Sequence, residues 1–175
     1  EAVALTGEQA GILSDTTYGN ATIKCIYPNN ILNHLKNSKI VIVAGFQAVD
    51  KLGNITTLGR GGSDLSAVAI VCALKAKRCE IYSDIDGIYS ADPRIIPKAK
   101  LLKNISYSEM LEAASAGAKV LHNRSVNVGK KNKMSIIVKN SQQKSQGSTI
   151  NEDKKELSNI LEQQELNKQT IQELL

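Results

Sequence analysis

The sequence predicts an α/β fold in which helices cover an open, mainly parallel β-sheet on both sides, in three layers. Two buried-strand patterns support this prediction, a β-branched run at Lys39–Gly45 and a second apolar run at Cys79–Ser83. An apolar, Ala-rich helical pattern over Leu65–Lys77 lies between them. Strands that alternate with helices along a chain are typical of a layered α/β sheet.

The elements before Lys39 are short. Ala2–Leu5 is an apolar strand candidate, and Ala21–Ile26 alternates weakly and predicts another strand. Pro28 then starts a helix over residues 29–37, in which apolar residues recur at helical spacing, namely Ile31, Leu32 and Leu35.

A hairpin is predicted next, because residues 46–50 and 55–58 flank a turn at 51–54. After the Cys79–Ser83 strand, residues 84–97 form a long loop with three Asp, two Pro and one Gly.

The last elements are two helices and a strand. Ser106 or Ser108 caps a helix that runs through Ala114, and Glu109 three residues after Ser106 indicates a capping box. A second helix is predicted over about 118–130, and Ser135–Lys139 is predicted as the last strand.

The composition is that of a globular protein, with 175 residues of which 42% are hydrophobic. The three cysteines are odd in number and form no CxxC pair, so we expect free thiols in a reducing cytosol and no zinc site. No apolar run is long enough to span a bilayer and no signal peptide is recognised. We therefore expect a cytoplasmic protein without a membrane partner, and the start at Glu1 without a Met suggests that an N-terminal part is missing.

The charge is unevenly distributed along the chain. Residues 152–175 carry a net charge of −3. Because the whole chain carries +5, the residues before 152 carry +8. That body could attract ATP or nucleic acid, or its lysines could simply be solvated. With one Phe and no Trp, stacking on single-stranded nucleic acid is disfavoured. We divide the chain into a domain at 1–150 and a charged helical tail at 151–175.

The first chemistry-bearing segment is TTLGRGGSD, from Thr56 to Asp64. Adjacent glycines let backbone amides approach an anion at the start of the following helix. Arg60 can bind a carboxylate or phosphate with two parallel hydrogen bonds, and Asp64 can receive an ammonium group. Taken alone, however, the segment is better interpreted as a turn, with Asp64 as a helix cap.

The second segment is IYSDIDGIYSADPR, in which a strand ends in an Asp- and Gly-rich loop, where open α/β sheets bind ligands. Ser83 and Asp84 stand at the end of the strand. Tyr89 offers a flat face to a base, and Arg94 offers a contact to phosphate. An Asx-turn surface loop is an equally balanced alternative.

The third segment is ASAGAKVLHNRSV, from Ala114 to Val126. Its small residues suggest close approach to a neighbouring element. Lys119 could reach a phosphate, although a single Lys on a helix is usually only solvated.

Together the three segments resemble, in order and spacing, the aspartokinases of the amino acid kinase superfamily. The family's GF strand end is matched by Gly45–Phe46, its GAKVLH by Gly117–His122, and its TG-x-QAGI by Thr6–Ile12. The resemblance covers about residues 1–150 and implies the nucleotide-binding half of a carbamate-kinase-like αβα domain.

The resemblance implies ATP-dependent phosphorylation of the L-aspartate side chain, the first step towards lysine, threonine and methionine, with Mg²⁺. L-Aspartate would be held by Phe46, Arg60, Gly61 and Asp64. ATP would be held by Ser83, Asp84, Tyr89, Arg94 and Lys119. No protein residue is assigned to a metal, no nucleic-acid partner is expected, and the intact protein is expected to be a homo-oligomer.

The sequence also departs from the family pattern. The K-F-G-G-T-S loop, whose Lys neutralises the transferred phosphoryl group, is absent, so the catalytic residue is unknown and expected upstream. Ser83, Leu65 and Asn123 replace commoner residues. Two other readings remain, a nucleotide-binding module without catalysis and a kinase of another acidic metabolite such as glutamate. Arg60 in GRGGSD disfavours the second of these.

Overall fold

The computed structural model describes residues 1–115 and 120–152, and the chain divides into two compact units. The first comprises Glu1–Cys79 and Leu121–Met134, and the second Glu80–Val120 and Ser135–Leu175. The described elements, in chain order, are β1 (Ala2–Leu5), β2 (Ile12–Ser14), β3 (Ile23–Ile26), α1 (Asn29–Lys36), β4 (Ile40–Val43), β5 (Gln47–Val49), β6 (Ile55–Thr57), α2 (Gly62–Ala73), β7 (Cys79–Ser83), β8 (Asn104–Ser106), α3 (Tyr107–Ser115), α4 (Asn123–Asn132), β9 (Ile136–Asn140) and β10 (Ser148–Asn151).

Two sheets lie in the first unit. In one, β1 pairs in parallel with β4. The other has the strand order β3-β2-β5-β6, with β2 and β5 parallel and both outer pairs antiparallel. The predicted α/β class is confirmed. The β5–β6 pair is antiparallel because these two strands are joined by a short hairpin that reverses the chain direction.

The core of the first unit lies between these sheets and the helices. Its buried members are Leu5, Ala10, Ile12, Ala21, Ile31, Ala48, Leu58 and Leu65. Helix α2 contacts α4 and buries Val68 and Ala69, so the two helices support each other next to the loop that precedes α2. Apolar burial of this kind contributes roughly 25 cal/mol per Å².

The second unit contains a sheet of strand order β7-β9-β10-β8. Strand β10 pairs in parallel with β8 and antiparallel with β9. Helix α3 contacts β8 and β10, and the buried apolar side chains include Ile88, Leu102, Ile105, Met110, Ile136, Val138 and Ile150.

Most predicted elements are confirmed. Strands β1 and β7 have the predicted bounds, and the hairpin of β5 and β6 is found within one residue of its expected place. The capping box is also confirmed: the Ser106 amide donates to Glu109 Oε2 at 2.8 Å and the Glu109 amide donates to Ser106 Oγ at 3.1 Å. Ser106, which directly precedes α3, therefore makes these capping bonds.

Helix α2 covers Gly62–Ala73, so both the predicted start at Leu65 and the predicted end at Lys77 were wrong. Other differences concern strands and helix α4. Strands β2, β8 and β10 were not predicted, and β10 shows that β9 is not the last strand. These strands have three or four residues, too few to show a period. Strand β4 is not buried on both faces, because Ile40 and Ile42 are 68% and 57% exposed. Helix α4 begins at Asn123 and not near residue 118, because His122 is extended and caps it.

The tail predicted as a helix lies outside the described residues from 153 onwards. Cys25, Cys72 and Cys79, which all lie in the described ranges, form no disulfide bond there. In the ranges that the structure describes, none of the helices combines the length and apolar character that a bilayer crossing requires.

Candidate functional site

The loop before α2 has the backbone that its glycines predict. Gly59 and Gly61 have φ angles of +72° and +70°, in the left-handed region that favours glycine. Gly61 is the residue that caps α2. Arg60 stands between them and is exposed, and its guanidinium makes no hydrogen bond or ion pair with any described residue. The loop therefore presents a cation beside the positive end of a helix.

Two side chains lie against the glycines of this loop. A Cβ on Gly61 would stand 2.5 Å from Cβ of His122, and a Cβ on Gly62 would stand 2.8 Å from Cδ2 of Phe46. Such distances are shorter than real contacts, so these positions require glycine. The sequence predicted these glycines because they let a ligand approach the backbone. The structure adds a second reason, which is that His122 and Phe46 occupy the space that a side chain would need.

Phe46 adopts a strained backbone conformation directly before β5. Its φ angle is +71°, which is uncommon for a bulky residue. Its amide donates to Ser66 Oγ at 2.9 Å, and its carbonyl accepts from the Leu58 amide at 3.0 Å. The ring is 40% exposed next to the start of α2. Strain held by two hydrogen bonds is typical of functional positions.

Asp64 lies in the first turn of α2 and is half-buried. Partial burial raises the pKa of Asp64, and the proximity of His122 opposes part of this rise. Its carboxylate accepts no hydrogen bond from a described residue, so the alternative that Asp64 serves only as a helix cap is not supported by the geometry. An unpaired, half-buried carboxylate can accept a cationic ligand.

Two further residues shape this loop and were not singled out in the sequence. Ser66 is buried and its hydroxyl bonds both Phe46 and the Gly62 carbonyl. Arg124 donates to Asn20 Oδ1 and to the carbonyls of Ala21 and Leu58. The contacts of Arg124 join residues far apart in the chain, so no local spacing signals them.

In the second unit, the predicted nucleotide residues lie where β7 ends. The Ser83 hydroxyl donates to Asp84 Oδ1 at 2.9 Å, and the Ser83 carbonyl accepts from the Ser141 amide at 2.7 Å. Since Ser141 follows β9, the carboxyl ends of β7 and β9 meet. The carboxyl ends of strands are the edge at which open α/β sheets bind ligands.

The loop after β7 is tied to the last residue of β9. Asn140 donates from Nδ2 to Asp86 Oδ1 at 2.8 Å, and the Tyr89 hydroxyl donates to Asp86 Oδ2 at 3.3 Å. Burial, followed by the charge of Asp86, raises the pKa of Tyr89. Gly87 has a φ angle of +153°, and a Cβ there would stand 2.5 Å from Ser148 Oγ. Sequence reasoning selected Tyr89 but missed Asp86 and Asn140 as the residues that hold it.

Arg94 has a local partner. It donates from Nε and Nη2 to the two carboxylate oxygens of Asp92, at 3.0 and 2.7 Å. The hydrogen bonds from Arg94 lower the pKa of Asp92 to about 2. Because a guanidinium has five donors, Arg94 retains donors for a phosphate. Lys119 lies outside the described residues.

The predicted aspartate residues thus all lie in the first unit, around the start of α2, and the described nucleotide residues all lie in the second, at the end of β7 and in the loop after it.

Known proteins resemble this chain over most of its length. It is 52% identical over 149 residues to an aspartokinase of Helicobacter pylori, covering 85% of this chain and 37% of that protein. It is 48% identical over 153 residues to an aspartokinase of Geobacillus stearothermophilus, covering 87% of this chain and 38% of that one. The chain therefore spans a little over a third of these relatives.

A solved structure gives the same picture. E. coli aspartokinase III in complex with aspartate and ADP superposes with a TM-score of 0.81 and 30% identity, over 89% of this chain and 36% of that one. The amino acid kinase family model matches residues 1–140. On this match, which covers most of its 175 residues, the chain belongs to the amino acid kinase family.

Proposed function

We propose that this chain supplies the aspartate- and nucleotide-binding residues of an enzyme that phosphorylates the side-chain carboxylate of L-aspartate. The proposal rests on one observation: two side chains of opposite charge lie at the start of the same helix, and neither forms an ion pair or hydrogen bond with a described residue. Arg60 is exposed and unpaired among the described residues, and Asp64 is half-buried and accepts no hydrogen bond there. An α-amino acid carries a carboxylate and an ammonium group, which these two side chains match.

Each residue of the first unit then has a role. Arg60 binds the α-carboxylate through two parallel hydrogen bonds, and Asp64 pairs with the α-ammonium. Gly61 lets the backbone approach the ligand, and the Phe46 ring supplies an apolar wall. The side-chain carboxylate of the bound aspartate remains free to act as the nucleophile.

The nucleotide is ATP in this proposal, and its site is the edge where β7 and β9 end. Ser83 and Asp84 stand at this edge, Tyr89 offers a ring to the base, and Arg94 a donor to phosphate. In the reaction, a side-chain oxygen of aspartate bonds to the γ-phosphorus while the bond from that phosphorus to the β–γ bridging oxygen breaks. The products are 4-phospho-L-aspartate and ADP, and catalysis rests on positioning and charge neutralisation.

Mg²⁺ fits the donor set of the second unit. Among the described residues, no three Asp, Glu, His or Cys side chains form a cluster that could hold a metal ion. In phosphoryl-transfer sites, however, Mg²⁺ is usually bound by one or two carboxylates together with substrate phosphates. Asp84 is exposed and accepts a hydrogen bond from Ser83, so its carboxylate can serve in this way. The bound ion would neutralise phosphate charge.

A hybrid enzyme tests the proposal. The aligned segment of the H. pylori aspartokinase, which matches 149 residues, is replaced by the corresponding segment of this chain. We expect aspartate-dependent formation of ADP, measured in a coupled assay, with glutamate inactive as the acceptor. A folded hybrid that binds Mg-ATP but phosphorylates no aspartate contradicts the proposal.

The alternative is a nucleotide-binding module without catalysis, and one sequence observation favours it for the 175-residue chain alone. The chain contains no K-F-G-G-T-S segment to supply the neutralising Lys. We therefore expect calorimetric titration to show weak Mg-ATP binding by this chain and negligible turnover. Full activity of the chain alone contradicts the role given to that Lys.

A further inference from the structure

We propose that Arg124 is a positioning residue for Arg60, acting by fixing both ends of the loop that presents it. This inference rests on the proposed function, because it assigns to Arg124 the task of placing the residue that binds the α-carboxylate. All of the residues concerned lie in the first unit.

The guanidinium of Arg124 bonds two separate stretches of chain. From Nη2 it donates to the Ala21 carbonyl at 2.6 Å, and from Nη1 to Asn20 Oδ1 at 3.1 Å and to the Leu58 carbonyl. Ala21 and Leu58 are both fully buried. Hydrogen bonds with a charged donor are the stronger ones, and a buried carbonyl left without its donor is unfavourable.

Leu58 connects this contact to the aspartate residues. Its carbonyl accepts from Arg124, while its amide donates to the Phe46 carbonyl at 3.0 Å. The next residue, Gly59, lies against Asn20, since a Cβ on Gly59 would stand 2.6 Å from Asn20 Oδ1. One side of the Arg60 loop is therefore held through Arg124.

The other side of the loop is held from the same turn of α4. His122 caps that helix, accepting at Nδ1 from the Arg124 amide, and its side chain lies against Gly61. Arg60 thus stands between two left-handed glycines, each of which is confined by a contact that depends on the start of α4. The Arg60 side chain itself is exposed, so its direction depends on this backbone.

Amide exchange in the 175-residue chain tests the proposal. The Gly62 and Leu65 amides donate to the carbonyls of Gly59 and Gly61, so their protection reports on the loop. Arg124→Lys keeps the charge but loses the two-pronged geometry. We expect exchange at Gly62 to rise about tenfold, as for the loss of hydrogen bonds to a charged group. Leu65 should change less, because the Lys variant keeps the backbone amide that bonds His122 at the Gly61 end of the loop. The Ala44 amide, which donates to the Leu5 carbonyl in the β1–β4 sheet, should keep its rate.

Three variants make the test specific. Lys131→Ala removes an exposed positive charge from the same helix and should change neither amide. In Arg124→Ala, guanidinium added to the solution should restore protection of the Gly62 amide. Methylammonium should not, because it cannot donate two parallel hydrogen bonds. If Arg124→Lys does not fold, Asn20→Ala removes one acceptor and should still speed exchange at Gly62. Unchanged protection at Gly62 in a folded Arg124→Lys, or in Asn20→Ala where Arg124→Lys fails to fold, overturns the proposal.

A kinetic arm separates positioning from simple support of the fold. In the hybrid enzyme, Arg124→Lys should raise the KM for aspartate about tenfold while the KM for ATP stays unchanged. Equal changes in both constants overturn the positioning role. If the hybrid phosphorylates no aspartate at all, the proposed function fails, and the exchange experiment still decides whether Arg124 fixes the loop.

Discussion

The side chain of His122 lies so close to Gly61 that a Cβ on Gly61 would stand 2.5 Å from the Cβ of His122. Gly61 also has a φ angle of +70° and caps α2. Gly61 lies between Arg60 and Asp64 at the start of α2. It is therefore constrained both by its backbone conformation and by a neighbour 61 positions away in the sequence.

We predict that Gly61→Ala destabilises the fold by about 2 to 4 kcal/mol, combining the cost of a left-handed conformation with that of overpacking. The matched control is Gly53→Ala, because Gly53 has a φ angle of +86° but open space around it. That variant should lose only about 1 kcal/mol. Urea unfolding of both variants measures the difference, and equal losses would show that the contact with His122 is unimportant.

Arg60→Lys should raise the KM for aspartate in the hybrid enzyme by about tenfold or more, because the lysine ammonium cannot form two parallel hydrogen bonds to a carboxylate. The KM for ATP should stay constant. The Arg60 guanidinium makes no hydrogen bond or ion pair with a described residue, so the melting temperature should stay constant too. The control is Lys51→Ala, which removes a positive charge from the exposed hairpin turn. It should alter neither of the two KM values nor the melting temperature. Unaltered aspartate kinetics in Arg60→Lys would show that the loop is only a turn.

How far the sequence predicts this site depends on the separation of the residues in contact. The GRGGSD and DGIYSADPR segments are continuous, so their glycines, charges and position after a strand are visible directly. The contacts of Arg124 with Leu58 and Asn20 span 66 and 104 residues, and no local pattern announces them. Ser66 was hidden for a different reason: a Ser inside an Ala-rich helix is compatible with any buried or exposed position.

The same reasoning explains the fold. Strand β7 and the β5–β6 hairpin have apolar runs and turn residues that indicate them. Strands β2 and β8 have three residues each, and their pairing depends on partners supplied by the rest of the chain. The exposed side of β4 was unpredictable from its composition, because a β-branched run has the same appearance whether one face or both are covered.

Asp50 should make stability depend on acid pH. Burial opposes its ionisation, but hydrogen bonds from the Asn54 amide, the Asn54 side chain and the Tyr18 hydroxyl outweigh burial and lower the pKa of Asp50 to about 2. A lowered pKa stabilises the fold above the unfolded value of about 3.9, and this stabilisation is lost as the pH falls towards 2.

We therefore predict that Asp50→Asn lowers the melting temperature at pH 7 and that the gap to the wild type narrows as the pH approaches 2. Scanning calorimetry across this range measures the gap. Glu8→Gln is the control, since its exposed carboxylate makes no hydrogen bond with a described residue. A gap that is independent of pH would show that the hairpin does not depend on the charge of Asp50.

Removing residues 153–175 should leave the affinity for Mg-ATP unchanged, because the segments that match the family's nucleotide-binding motifs end before this stretch. Calorimetric titration of the shortened and complete chains compares the two dissociation constants. A loss of binding in a shortened chain that still melts cooperatively would make the tail part of the nucleotide site.

Asp64 allows the sharpest distinction between a functional and a structural role. Partial burial raises the pKa of Asp64, against the opposing effect of His122. A raised carboxyl pKa means that the unfolded chain ionises more readily than the folded one, so this group costs stability above its unfolded pKa of about 3.9. Asp64→Asn removes the charge at nearly constant shape, and we expect its melting temperature at pH 7 to equal or exceed that of the wild type.

The aspartate affinity of the hybrid enzyme should respond in the opposite direction. Asp64→Asn should weaken aspartate binding by about tenfold or more, since it removes the charged partner of the α-ammonium. In the wild type, the affinity for aspartate should fall as the pH decreases, because protonation of Asp64 removes the same partner. The fall should begin at a higher pH than for an ordinary Asp with a pKa of about 3.9. That limb should be absent in Asp64→Asn. A helix-capping role gives the reverse pattern, a lower melting temperature with unchanged aspartate affinity, and measuring both quantities on one variant decides between them.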